Sequence, residues 1–160
     1  MFDMLVRLYD LPDVSSSINE LKGQGILIRR PGAYERHIVT DWVGRTFSPK
    51  WVSETKVAFG RQPVSCFIAT CDSRIVGFAC YDVTARGFLG PMGTDPSLRR
   101  SGLGKALLVT ALGALRDMGF AYAFIGGVGP AEFYAKTVGA VPVEGSTPGI
   151  YVDILPDPEL

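Results

Sequence analysis

The residues with the clearest chemical signature run Thr94-Asp95-Pro96-Ser97-Leu98-Arg99-Arg100-Ser101-Gly102-Leu103-Gly104-Lys105-Ala106-Leu107-Leu108. Their order predicts a strand end, a tight loop with two glycines, and the first turn of an amphipathic helix. The N–H groups of a first helical turn have no acceptor within the helix and sit at the positive end of its dipole, so they form an anion site. Gly102 and Gly104 let a phosphate approach the main chain with no Cβ in the way. Ser101 and Leu103 belong to the same cradle through their backbone. Arg99, Arg100 and Lys105 add positive charge around it. Pyrophosphate binding is the chemistry that fits.

Two nucleotide-loop patterns fail on this chain. A G-x-x-x-x-G-K-[ST] loop ending at Gly104-Lys105 finds Arg99 at its first glycine and Ala106 in place of Ser or Thr. The second glycine cluster, Gly126-Gly127-Val128-Gly129, follows a strand-like stretch, but a G-x-G-x-x-G pattern would need glycine where Glu132 stands. Cys66, Cys71 and Cys80 lie in apolar, strand-like stretches without a C-x-x-C pair, and His37 is the one histidine. These residues predict buried free thiols, a reducing compartment and no metal site. No G-x-S-x-G turn or Cys–His constellation suggests a covalent nucleophile.

The elements that must position this loop follow from periodicity and punctuation. Ile26 to Arg30 is a strand ended by Pro31-Gly32. Tyr34 to Gly60 is helical and broken at Ser48-Pro49, where Ser48 caps and Pro49 opens a second helix. Ser65 to Thr70 and Arg74 to Thr84 are strands joined at Asp72-Ser73, and Phe88 to Thr94 is a strand interrupted by Gly90-Pro91. Leu103 to Met118 is the strongest helix, with Leu108, Leu112 and Leu115 on one face and Gly119 at its end. Tyr122 to Ile125 is a buried strand, Pro130 to Lys136 a helix, and Ile150 to Leu155 the strand expected to close the sheet. Leu5 to Leu11 adds a strand whose edge either the same sheet or a second copy must cover, and Val14 to Lys22 a short helix. The fold class is α/β (α+β mixed), one central, mostly antiparallel sheet flanked by helices, in a single domain over residues 1–160.

Composition removes several function classes. Sixteen Lys and Arg balance sixteen Asp and Glu, so the chain lacks the basic footprint that nucleic acid requires. The uncharged run from Gly119 to Ala131 is too short to span a bilayer and is broken by glycines and a proline, despite a mean hydropathy of +0.20. The N-terminus has no long apolar stretch of the signal-peptide kind. A cytoplasmic protein with no membrane and no nucleic-acid partner is the expectation, with a homodimer as one way to cover the N-terminal strand edge.

Arg99-x-x-Gly102-x-Gly104, after Thr94-Asp95-Pro96, resembles the acetyl-CoA signature R/Q-x-x-G-x-G/A of the GNAT acetyltransferase superfamily. Phe133-Tyr134-Ala135-Lys136-Thr137-Val138-Gly139-Ala140 is similar to that superfamily's F-Y-x-K-x-G-[FA] helix, with one extra residue before the glycine. The resemblance covers Ile26 to Leu155, and the first 25 residues lie outside it. It implies acetyl-CoA as donor and a pantetheine arm between two splayed parallel strands. It gives the Met92 amide the thioester carbonyl, the Thr94 amide the pantetheine, and the Tyr134 phenol the departing thiolate. Gly90-Pro91-Met92-Gly93 agrees independently, since proline cannot donate to a ladder and glycine favours bulges.

Two departures from the superfamily's pattern are visible. Gly127 stands seven residues before Tyr134, where relatives often carry Asn, and Arg86 to Gly93 contains no acid to serve as base. Asp82 then ranks above Glu54 and His37 as base, with water as the other route. Trp42, Phe47 and Trp51 suit core packing, with Trp51 the one worth testing against acceptor, and Gly145 to Tyr151 lines the pocket or merely turns. The implied activity is direct acetyl transfer from acetyl-CoA to a primary amine of a small molecule, without metal. The rival readings are a non-catalytic acyl-CoA-binding sensor or partner-binding module, and, behind it, a nucleotide-binding protein.

Overall fold

The computed structural model of the chain describes residues 1–99 and 101–159. It contains β1 (Met4–Arg7), α1 (Ser15–Gly23), β2 (Ile26–Arg29), α2 (Arg36–Thr46), α3 (Pro49–Phe59), β3 (Cys66–Cys71) and β4 (Arg74–Tyr81). β5 (Phe88–Thr94), α4 (Leu103–Asp117), β6 (Tyr122–Ile125), α5 (Ala131–Val138) and β7 (Val141–Pro142) follow. One seven-stranded sheet runs in the order β2-β3-β4-β5-β6-β1-β7. Its neighbours are antiparallel except β5 and β6, which are parallel.

Local signals set most of these boundaries. Ser48 Oγ accepts the Trp51 N–H at 3.2 Å, and Pro49 occupies the first turn of α3, where a missing N–H costs nothing. Asp72 and Ser73 both take positive φ in the two-residue β3–β4 turn. The leucine stripe of α4, including Leu103, Leu107, Leu108, Leu112 and Leu115, is fully buried. It packs on β3, β4 and β5 with α1 beside it. α2 and α3 cover the opposite face, where Val39, Trp42, Val43 and Ala58 meet Ile68, Phe78 and Cys80. Adjacent strand residues alternate between these two cores, as Phe78 and Ala79 do.

One expectation fails at the far side of the sheet, and another is met in one of its two forms. The segment Ile150 to Leu155 is not a strand; the last strand is Val141–Pro142, which pairs Leu5 with Val141 and Met4 with Pro142. The Tyr151 N–H closes a turn on the Pro148 carbonyl at 2.9 Å, and Asp153 takes a φ of 54°, so the chain cannot stay extended. Ile150, Val152 and Ile154 remain 57%, 65% and 55% exposed. The edges of the N-terminal strand are covered by the same sheet, one of the two ways expected. β1 lies between β6 and β7, with Met4 opposite Ile125 and Arg7 opposite Tyr122. No helix among the described residues is long and apolar enough to cross a membrane.

Candidate active site

β5 and β6 pair at Phe88–Phe124 and Leu89–Ile125 and then part. A bulge in β5 accompanies the split: Tyr81 faces Leu89 and Ala79 faces Met92, so three steps along β5 match two along β4 at Gly90-Pro91. The Asp95 N–H donates to the Val76 carbonyl at 2.8 Å, toward β4. The two-residue period of a strand therefore turns the Met92 and Thr94 amides the other way, onto the open edge. Part-buried amides on an unpaired edge take an acceptor from outside the sheet, water or a ligand.

The split opens a cleft with two ends. A cavity of about 820 Å³ reaches toward the start of α4, and one of about 770 Å³ toward the loop after β6. Trp51, Met92, Pro130 and Tyr134 line both, so the ends meet there. Phe47 stacks on Trp51 at 4.9 Å between ring centroids and covers β5 so closely that a Cβ at Gly93 would enter its ring.

At the α4 end, Asp95 accepts from the Ser97 N–H at 2.9 Å and from the Ser97 hydroxyl at 2.7 Å, and these bonds lower its pKa. The Ser101 hydroxyl donates to the Leu98 carbonyl at 2.6 Å and accepts the Leu103 N–H at 3.3 Å. Gly102, at the N-cap of α4, has a φ of 87° and open space where a Cβ would point. That conformation needs glycine whatever binds beside it. Arg99, Gly102, Gly104 and Lys105 line the cavity together with Met92 and Thr94. The Ser101 side chain is exposed, Leu103 is buried in the α4 core, and Arg100 lies outside the described residues. The Ser101 N–H also donates to the Leu98 carbonyl, at 3.3 Å, so the amides of Ser101 and Leu103 are both engaged within the loop.

Tyr134 sits on α5, buried at the junction of the two cavities and packed edge-on against Phe133. Burial raises its pKa, because the phenolate would lose its water, so the phenol keeps its proton and can donate.

The other end holds residues that sequence reasoning ranked low or did not single out. Glu54, on α3, lines the cavity and accepts a short hydrogen bond from the Thr84 hydroxyl. Tyr151 also lines it; burial, with the nearby charges of Asp3 and Glu54, pushes its phenol up to about 12. Asp3, buried, accepts the Gly127 N–H at 3.0 Å, while its own N–H donates to the Ser146 hydroxyl at 2.8 Å. The Phe2 carbonyl accepts the Val128 N–H at 2.9 Å. Lys50 and Asp157 form an ion pair of 3.1 Å at the rim. The chain's two end segments thus hold the loop after β6, and Asp3 braces it at Gly127 itself. The helix spacing that puts Lys50, Trp51 and Glu54 together on α3 was readable in advance, and Tyr151 meets the first of the two readings of Gly145 to Tyr151, a segment that lines the pocket.

The remaining candidates fall elsewhere. Asp82 is 1% exposed rather than solvated, and it lines neither cavity. Its Oδ1 accepts the Gly87 N–H at 2.7 Å, and Arg86 and Arg61 lie 3.4 and 3.9 Å from Oδ2, so it braces the β4–β5 loop. His37 is exposed on α2 and lines neither cavity. Trp42 is core, against Phe47 and Phe78. Cys66 and Cys80 face each other across β3 and β4 as buried free thiols, and burial holds the Cys80 thiol well above its ordinary pKa. Cys71 is free and half-buried. Among the described residues no group of three His, Cys, Asp or Glu could hold a metal ion.

A parted parallel strand pair with a glycine-capped helix beside the gap defines a family, and comparison with known proteins agrees. The acetyltransferase (GNAT) family matches residues 33–139, more than half of the chain, and the chain belongs to that family. Among solved structures, similar folds include the GCN5-related glucosamine N-acetyltransferase region of a fungal multi-domain GH3 β-N-acetylglucosaminidase, at TM-score 0.72 and 14% identity. That match covers 89% of this chain and 19% of the fungal one. The GCN5-related N-acetyltransferase from Sphaerobacter thermophilus gives TM-score 0.69 and 20% identity over 89% of this chain and 48% of its own. The one from Kribbella flavida gives 0.59 and 20% over 88% and 53%. This chain therefore spans about half or less of the length of these similar structures. No curated protein matches it.

Proposed function

We propose that the chain is an acetyl-CoA-dependent N-acetyltransferase that moves the acetyl group directly to a primary amine of a small molecule. The observation that carries this reading is the parting of β5 from β6, which turns the Met92 and Thr94 amides onto one cleft shared by the α4 loop, Tyr134 and Glu54. Acetyl-CoA supplies the activated thioester. Its pyrophosphate fits the glycine-capped start of α4 with Arg99 and Lys105 around it, and its pantetheine fits the open edge at Thr94. The Met92 N–H donates to the thioester carbonyl oxygen as that oxygen gains negative charge. Tyr134 supplies the proton to the sulfur that leaves.

The acceptor side needs a base, and Glu54 is the carboxylate that lines the cleft. An amine arrives protonated at neutral pH. Glu54 takes one ammonium proton, the nitrogen lone pair forms the new N–C bond, and the C–S bond breaks with its electrons on sulfur. As the C–S bond breaks the nitrogen gives up a second proton, which restores the Tyr134 phenol after that phenol has protonated the sulfur, so the products are an amide, a thiol and one proton that leaves through Glu54.

Thiol release from acetyl-CoA over a panel of amines tests the reading, with Glu54→Gln beside the wild type. We expect turnover with at least one amine and a loss of roughly 10²–10⁴-fold in kcat/KM for the variant, with acetyl-CoA affinity little changed. No thiol release with any amine would overturn the transferase reading. Full activity of Glu54→Gln would leave it standing and pass the proton to water.

A further inference from the structure

The acceptor end of the cleft has a composition that selects its ligand. Among the described residues lining it, the side chains of Lys50 and Glu54 carry charge, Met1 adds its terminal ammonium, and Lys50 is already paired with Asp157 at 3.1 Å. Met92, Ile125, Val128, Pro130 and Ile154 supply much of the remaining wall. Asp3 sits just behind it, bonded to Gly127. The side-chain charges left unpaired at this end, Glu54 and Asp3, are thus negative and outnumber the one terminal ammonium, and much of the surface around them is apolar.

We infer that the acceptor is a monoamine with an apolar body, an aryl- or alkylamine, whose ammonium meets Glu54 and whose body packs against Ile125, Val128 and Ile154. The inference rests on the acetyl-transfer reading and adds the substrate class to it. An α-amino acid would bring a carboxylate to a wall whose one lysine is already engaged, and burying an unpaired carboxylate is expensive. An amino sugar would bring several hydroxyls to a surface whose hydroxyl partners are Ser53, Thr84, Tyr134 and Tyr151, with Thr84 already bonded to Glu54 and Tyr134 given to the leaving sulfur. Each unpaired polar group would lose its water without replacement. An apolar body loses nothing of the kind and gains burial.

The segment around Tyr151 and Ile154 is the specificity-determining part of this wall. It belongs to no strand, and its Tyr151 hydroxyl stands so near Gly126 that a Cβ there would overlap it. Burial and the Asp3 and Glu54 charges keep Tyr151 protonated, so it presents a donor and no negative charge of its own.

The test compares phenethylamine and hexylamine with glucosamine, glycine and putrescine, in steady-state acetyl transfer and by calorimetric titration of each amine into the CoA-saturated protein. We expect kcat/KM at least 100-fold higher for the two apolar amines. We also expect Ile154→Glu to raise KM for phenethylamine about tenfold, with kcat within twofold, and to lower KM for putrescine. Ile154 is half exposed, so the substitution does not empty the core. Preferred turnover of glucosamine, glycine or putrescine overturns the substrate class and leaves the transferase reading intact. Binding of phenethylamine without turnover by any amine supports the pocket assignment and overturns the transferase reading. Unchanged KM for both amines in Ile154→Glu overturns the role of the segment, and no binding or turnover of any amine overturns both proposals.

Discussion

The α4 end of the cleft comes mainly from one stretch of chain, Met92 to Lys105, with Phe47, Trp51, Pro130 and α5 completing it. The opposite end draws on Met1, on α3, on Thr84, on the loop after β6 and on the segment around Tyr151. The first is set by contacts between residues two to five apart, such as Asp95 with Ser97 and Ser101 with Leu98. The second is held by bonds that span the chain, such as the Asp3 N–H to Ser146 and the Gly127 N–H to Asp3. A local cradle can be kept while the distant wall changes, so one donor can serve many acceptors. Only the first of these two ends lies wholly within the part of the chain that the family matches.

Substitutions can break or sharpen that contrast. Tyr134 joins the two ends, so its effect is the largest. Tyr134→Phe keeps the ring and its packing but removes the donated proton, and we expect turnover to fall by roughly 10²–10⁴-fold with acetyl-CoA affinity nearly unchanged. Because burial raises the Tyr134 pKa, the wild-type rate should not decline on the alkaline side until past the ordinary tyrosine range near pH 10. An earlier decline that Tyr134→Phe abolishes would contradict the role given to the phenol.

The local end is tested by Gly102→Val, which puts a β-branched residue at a φ of 87° beside the open space of the loop. Acetyl-CoA should bind at least about 100-fold more weakly by calorimetry, near 2.7 kcal/mol, with the fold retained. Equal affinity would show that the loop does not hold the pyrophosphate.

The distant end is tested by Asp3→Ala. The Gly127 N–H loses its acceptor, at a cost of roughly 1–3 kcal/mol in unfolding free energy. The amine KM should rise while the acetyl-CoA Kd stays put. Weakening of both would mean that the ends are not independently built, and Asp3→Asn, which keeps an acceptor oxygen, should recover most of the loss.

The smallest effect lies outside both ends and serves as a control. Arg29, bonded through both Nη atoms, and the Gly32 N–H hold Glu35 at a pKa of about 2. Its folded value is depressed, so its contribution is present above the ordinary carboxylate value and is lost as pH falls toward 2. The pair is partly solvated, so the contribution is modest. Glu35→Gln should flatten the acid limb of the melting temperature below pH 4.5 slightly and leave acetyl transfer at neutral pH unchanged. A change in the amine KM would link this region to the acceptor wall.

What the sequence determined by itself is whatever short-range chemistry enforces. The Ser48-Pro49 break, the Asp72-Ser73 turn, the leucine face of α4, the bulge at Gly90-Pro91 and the glycine at the α4 cap were legible, because each depends on neighbours a few residues away. Tyr134 and the paired motifs were legible through resemblance. The rest needed the tertiary structure. Periodicity suggested that Ile150 to Leu155 would extend the sheet, but β-propensity cannot say whether an edge is free, and β7 had already taken the one beside β1. Asp82 and Glu54 exchanged places as candidates for the base for the same reason. A carboxylate's sequence neighbours do not tell which side of a fold it will face, and only the packing of α3 against β5 brought Glu54 to the cleft while the β4–β5 loop closed over Asp82.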